Sequence, residues 1–201
     1  FLEKQVRGVL EREAPDLIII TGDTLEGNYS LVPAGRFFHD LKAPLGVWAV
    51  LGNWEHWTDN IDTEIFRELG VHLLVNEVAQ VREDVSVFGF DDEFSGKPER
   101  SIASHESRRT GICISLFHSP DFFEKIDDLC PLAFSGHTHG GQVRFPVIGP
   151  FWKPTGSGRY LSGWYQSKGS RMYVSRGLGT AVLPIRLMAR PEVTIVTVEN
   201  G

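Results

Sequence analysis

The sequence predicts an α/β fold, and three observations predict it. Continuous apolar runs of strand length recur at residues 16–21, 45–51 and 112–117, the mark of strands buried on both faces. Segments with helical apolar spacing precede or separate them, at 1–13, 33–41 and 59–69, which is the alternation of a layered α/β domain. Each run closes on residues suited to binding rather than packing: Gly22-Asp23, Gly52-Asn53 and His118.

Composition sets the limits. With 201 residues, 41% hydrophobic and 23% charged, residues 1–201 suffice for one domain with a sizeable core. A net charge of -6 and a pI near 5.6 provide no electrostatic footprint for wrapping nucleic acid, so no nucleic-acid partner is expected. Cys113 and Cys130 sit in or beside apolar runs without metal-ligand spacing, and two buried thiols are expected rather than a disulfide. The chain starts at Phe1 and has no apolar run of about 18 residues, the length of a membrane-spanning helix.

In chain order, Leu2, Val6, Val9 and Leu10 define the inward stripe of the first helix, and Pro15 stops it. The run 16–21 follows and delivers Asp23. A second helix over 33–41 leads to the strand 45–51, which delivers Asn53. Ile61, Ile65, Phe66 and Leu69 mark a third helix that Gly70 ends. Short strands are expected over 71–75, 79–82 and 85–90. Asp91-Asp92-Glu93 then reads as a solvated turn, the usual place of a charge run. Residues 94–110 read as a polar loop with a short helix, with His105 exposed. The strand 112–117 delivers His118, and Pro120 opens the next helix at a tolerated position. Residues 171–175 and 193–198 read as closing strands.

The chain is organised around Ser135-Gly136-His137-Thr138-His139-Gly140-Gly141-Gln142. In an extended segment side chains at i and i+2 share a face, so His137 and His139 could serve one metal site. Alone, H-x-H is a weak signal. It gains weight from Asp23, Asn53 and His118, each at the end of its own strand, an oxygen and imidazole set that suits divalent ions.

These motifs together resemble the calcineurin-like metallophosphoesterases, whose series runs D-x-H, G-D, G-N-H-[D/E], a lone His, then G-H-x-H. Four of the five occur here in order, one of them altered. The likeness covers nearly the whole chain, and Gly158-Arg159-Tyr160, Ser175-Arg176-Gly177 and Arg190-Pro191-Glu192 are similar to the bacterial, membrane-associated branch that includes UDP-2,3-diacylglucosamine pyrophosphohydrolase-like enzymes. The resemblance implies a four-layer αββα sandwich of two mixed β-sheets flanked by helices, here lacking its first strand, with the D-x-H motif expected upstream of Phe1. It implies two divalent ions (Mn, Fe or Zn). Asp23, Asn53, His118 and His137 would hold one, and Asp23 with His139 the other, leaving the second site incomplete in this chain. It implies hydrolysis of a phosphodiester or pyrophosphate bond by metal-hydroxide attack, on a phosphorylated small molecule or a lipid-linked substrate, at or near a membrane surface in a bacterium.

One position departs from the family pattern. Where a His is usual after the Asn, Trp54 stands, followed by Glu55 and His56. His56 is either a displaced catalytic proton donor or a loop histidine. A missing general acid typically costs about 10²–10⁴-fold in rate, least for weakly basic leaving groups, so pyrophosphate-type or activated diesters are the expected substrates. Residues 142–166, rich in Gly, Pro and aromatics, are either a self-packed loop or a lid in which Arg144, Trp152 and Arg159 meet the substrate or a membrane. Two other functions stay open: a catalytically impaired metal-binding interaction module, favoured by Trp54, and a metal-dependent nuclease, disfavoured by the acidic balance.

Overall fold

The computed structural model describes residues 2–25, 31–58, 63–104 and 111–199. Four layers stack helix, sheet, sheet, helix. The smaller sheet is parallel throughout, with β1 (Ile18–Ile20) beside β2 (Val47–Ala49) and β2 beside β3 (His72–Leu73). The larger is mixed, in the order β10-β11-β7-β6-β5-β4, from β4 (Glu77–Arg82), β5 (Val85–Gly89), β6 (Ile112–Leu116), β7 (Leu132–Ser135), β10 (Gly163–Ser167) and β11 (Ser170–Val174). Its central strands β5, β6, β7 and β11 run parallel, with antiparallel hairpin partners at both edges.

Period-two alternation sorts the strand residues between layers. Ile18 and Ile20 face outward to Leu10, Phe38 and Phe66, which belong to α1 (Leu2–Glu13), α2 (Leu31–Phe38) and α4 (Glu64–Glu68). Leu17 and Ile19 face the other way and join Val50, Leu74, Val87, Ile114 and Leu116 between the sheets. Behind the larger sheet, Phe88, Ala133 and Met172 pack on Phe122, Phe123 and Ile126, from a 3₁₀ turn (Pro120–Phe122) and α5 (Phe123–Ile126). Full burial of such a side chain stabilises by about 1.5–3 kcal/mol, so these apolar interlayers hold the strand ends in register.

Several expectations change. Cys113 and Cys130 form a disulfide, with Cα atoms 5.1 Å apart, because β6 and the turn before β7 lie side by side. The acidic cluster is not a solvated turn: Asp91 and Asp92 are buried, at 7% and 0% exposure. Asp92 accepts the Ser119 hydroxyl and the Ser95 amide, and Asp91 accepts the amides of Asp92 and Lys97. Residues 193–198 make no strand, and β10 begins within the stretch 142–166 read as a loop or lid and ends one residue beyond it. The expected helix over 59–69 is described only from residue 63, with α4 at Glu64–Glu68; His105 lies outside the described residues. Among the described residues no helix is long and apolar enough to cross a membrane.

Candidate metal centre

Four loops meet at the C-terminal ends of β1, β2, β6 and β7, the edge where parallel strands present ligands. The first two loops touch so closely that glycine is required. A Cβ on Gly52 would lie 2.3 Å from Asp23 Oδ1 and 2.8 Å from His118 Cε1. Glu55, in α3 (Asn53–Trp57), fastens them: its carboxylate accepts the backbone N–H of Asp23 (3.0 Å), Thr24 (2.5 Å), Leu25 (2.9 Å) and Gly52 (2.8 Å). Burial first, then the charge of Asp23, push the Glu55 carboxyl above its ordinary range, against the pull of those amides.

The side chains converge as follows. His118 Nε2 stands 3.1 Å from Asp23 Oδ2, 3.2 Å from Asn53 Oδ1 and 3.0 Å from His137 Nδ1. His118 Nδ1 lies 2.6 Å from the Thr21 carbonyl, and His137 Nε2 lies 2.6 Å from the Thr155 carbonyl. A carbonyl only accepts, so each ring spends its N–H outward. That directs a lone pair inward from both histidines, the tautomer control seen in metal-binding imidazoles. The inward atoms of His118, His137, Asp23 and Asn53 are then all acceptors, and like partial charges so close require a cation among them. Their 3.0–3.2 Å spacing suits neighbouring ligands of a first-row divalent ion, whose bonds are about 2.0–2.2 Å. Asp23, His118 and His137 are the one such cluster among the described residues.

Without an ion, a proton takes its place. Burial opposes charge on His118, but Asp23, by charge and hydrogen bond, outweighs it and raises His118 to about 9. Burial, then the charge on His118, push His137 down to about 4. Burial alone would raise Asp23, yet His118 and the Trp54 amide hold it below the usual carboxylate range.

The H-x-H geometry differs from the expected strand face. His137 and His139 take left-handed backbone, at φ 67 and 50, as does Asp23 at φ 53. Such strain in non-glycine residues gathers at functional sites. The two rings diverge. His139 stays out of the cluster; it hydrogen-bonds the Gly179 carbonyl, and Arg186 lies 3.3 Å from its Nδ1. Burial, then Arg186, lower the His139 pKa.

The remaining predicted residues lie apart from the cluster. His56 Nε2 pairs with Asp91 at 2.6 Å. Arg144 opens β8 (Arg144–Phe145), which pairs with β9 (Gly149–Pro150). Trp152 is 56% exposed. Arg159 lies over the Tyr160 ring, 3.6 Å from Glu124. In the position of the family's usual His, the Trp54 ring packs edge-on against Trp57, Trp57 against Phe94, and Phe94 sits 6.2 Å from His137. Sequence reasoning missed the clamp role of Glu55, the burial of Asp92 and the placement of Arg186. Only Arg186 carried a signal, as a lone cation within the apolar run 181–189.

Comparison with known proteins agrees with this geometry. No protein-family model matches the chain. The chain is 32% identical to the uncharacterized metallophosphoesterase YkuE of Bacillus subtilis, over 98% of this chain and 72% of that protein. It is 30% identical to an uncharacterized metallophosphoesterase of Aquifex aeolicus, over 98% and 78%. To the phosphodiesterase YaeI of Escherichia coli it is 29% identical, over 92% and 70%. On this fold, this convergence of ligand atoms and these relatives, the chain belongs to the calcineurin-like metallophosphoesterases, metal-dependent hydrolases of phosphoric ester bonds.

Proposed function

We propose that the chain hydrolyses a phosphodiester or pyrophosphate bond with a weakly basic leaving group, on a lipid-linked substrate near a membrane. The observation that carries the metal-dependent part is the tautomer control: His118 and His137 give their protons to backbone carbonyls and turn lone pairs on Asp23 and Asn53. Asp23, Asn53, His118 and His137 would hold one divalent ion. Asp23 and His139 would contribute to a second. Mn²⁺, Fe or Zn²⁺ suits the mixed oxygen and imidazole set. The chemistry such ions supply is polarisation of the phosphoryl oxygens and acidification of a water nucleophile.

The leaving-group side supports the rest. Trp54 cannot donate a proton as an imidazole does, and its ring continues through Trp57 to Phe94 as an apolar wall. A leaving group that departs without protonation fits such a wall. Lipid linkage is supported by the branch that the C-terminal motifs resemble and by the exposed aromatic Trp152.

A second reading has one observation in its favour. His56 is paired with the buried Asp91, an arrangement that fixes the orientation of an imidazole. His56 would then donate the proton that Trp54 cannot.

One experiment tests both. Turnover of an aryl phosphodiester and of an alkyl phosphodiester is compared with added Mn²⁺, for the parent and His56→Asn. The first reading expects a strong preference for the aryl ester, unchanged in the variant. The second expects the variant to lose alkyl turnover by about 10²-fold or more while aryl turnover holds. Absence of Mn²⁺-dependent turnover of both esters would sink the catalytic reading.

A further inference from the structure

An exposed apolar surface lies near the metal centre and belongs to two turns. One is the tip between β8 and β9, where Val147 and Ile148 are 107% and 81% exposed, followed by Phe151 at 78%. The other is the segment 181–188, with Val182, Leu183 and Ile185 at 82%, 57% and 55%. Hydrogen bonds join the turns into one face. Arg144 N–H donates to the Leu187 carbonyl, Leu187 N–H to that of Gln142, and the Gln142 amide group bonds Ala181 and Leu183.

This face is apolar against local preference. Val147 and Val182 adopt left-handed backbone at φ 70 and 61, where turns ordinarily use Gly or Asn and a β-branched residue is an outlier. Their side chains find no interior to fill. A large exposed apolar patch in a soluble domain marks an interaction surface.

Charge indicates what covers it. The net charge of -6 conceals a segregation: residues 129–191 contain eight Lys and Arg and no Asp or Glu. Arg144, Lys153 and Arg190 flank the two turns in sequence. Of the eight, Arg159, Lys168 and Arg176 pair with Glu124, Asp127 and Glu192, whereas aliphatic and aromatic side chains on turns flanked in sequence by Arg144, Lys153 and Arg190 match the boundary of an anionic lipid layer. A nucleic acid would use the cations but not exposed Val, Ile and Leu.

We propose that the β8–β9 tip and the segment 181–188 together form a docking face for an anionic membrane surface. It rests on the reading above only in placing the substrate near a membrane. The face is tied to the site at two points: Arg186 reaches His139, and Gly141 packs so close to Pro150 that an added Cβ would be 2.5 Å away. Docking would therefore bring the metal centre beside the lipid headgroups.

The test is flotation of the protein with vesicles of phosphatidylcholine alone and of phosphatidylcholine with phosphatidylglycerol. The parent is compared with the double variant Val147→Asp/Ile148→Asp, with Leu183→Asp, and with Gly8→Asp, which adds a charge on α1 away from the face. Thermal melting confirms that each is folded. The expected result is binding of the parent to the phosphatidylglycerol vesicles, weakened about tenfold or more by the face variants and unchanged by Gly8→Asp. Three results overturn the proposal: no binding by the parent, equal binding by the face variants, or conversion of a dimer to a monomer by those variants with vesicle binding intact. Turnover of a soluble aryl phosphodiester, read on the same samples, separates the two ideas. An inactive protein that floats refutes the catalytic reading alone.

Discussion

Around Asp23, His118 and His137 the inward and outward atoms of each ring have assigned partners, whereas eight residues beyond His139 the side chains of Val147 and Ile148 touch almost nothing of their own chain. Both regions contain non-glycine residues in left-handed backbone. In the cluster the strain is held by hydrogen bonds and by the apolar interlayers beneath. At the turns backbone hydrogen bonds and the side chains of Gln142 and Arg186 oppose it. Strain that the fold over-determines is a matter of stability, and strain at a free tip concerns what lies outside. Substitutions should therefore be costly in the first region and nearly silent in the second.

The sharpest way to break this contrast is His118→Ala. It removes the one imidazole that faces all three other ligand atoms, and should lower kcat by about 10²–10³-fold or more with loss of bound metal by elemental analysis. Retained metal and activity would mean the cluster is structural. Next comes the disulfide. Its partners are 17 residues apart, so the Cys113→Ser/Cys130→Ser pair should cost about 3 kcal/mol in denaturant unfolding. Glu55→Gln should cost about 1–3 kcal/mol, because an amide NH₂ would face N–H donors where a carboxylate accepted them. Smallest is Ile148→Ser, expected within about 0.5 kcal/mol of the parent; a larger loss would show that the exposed face is internally supported after all.

Protons sharpen the contrast further. His118 is raised to about 9 in the metal-free protein, above its unfolded value. That contribution to stability is complete below pH 6.5 and is lost as pH rises through 9. Asp23 is lowered, so its contribution is present above the ordinary carboxylate value and is lost as pH falls through its folded pKa. Metal loading runs the other way. An ion must displace the His118 proton, so affinity should climb about tenfold per pH unit between about 6.5 and 9. Calorimetry in buffers of different ionisation enthalpy should find about one proton released per ion near pH 7.5, and none released would mean that His118 is already neutral in the metal-free protein.

Much of this was legible beforehand. The runs at 16–21, 45–51 and 112–117 are strands because they pack between layers, and the polar residues at their ends came together as Asp23, Asn53 and His118. What was illegible depends on proximity. Cys113 and Cys130 pair because two strand ends are adjacent, which no local spacing encodes. Asp92 is buried because Ser119 donates to it across the sheet. Alternation at 193–198 reports faces but not a partner, and a strand needs both. The charge segregation was legible, but the net value masked it.

Glu55 carries one consequence for motion. Its carboxylate receives amides from both the first and the second loop, so neither can swing away while the other stays. Hydrogen exchange at Asp23, Thr24, Leu25 and Gly52 should then follow a single opening event with a common protection factor. Should the Gly52 amide exchange much faster than the other three, the two loops would breathe separately and the floor of the site would be two hinged pieces rather than one plate.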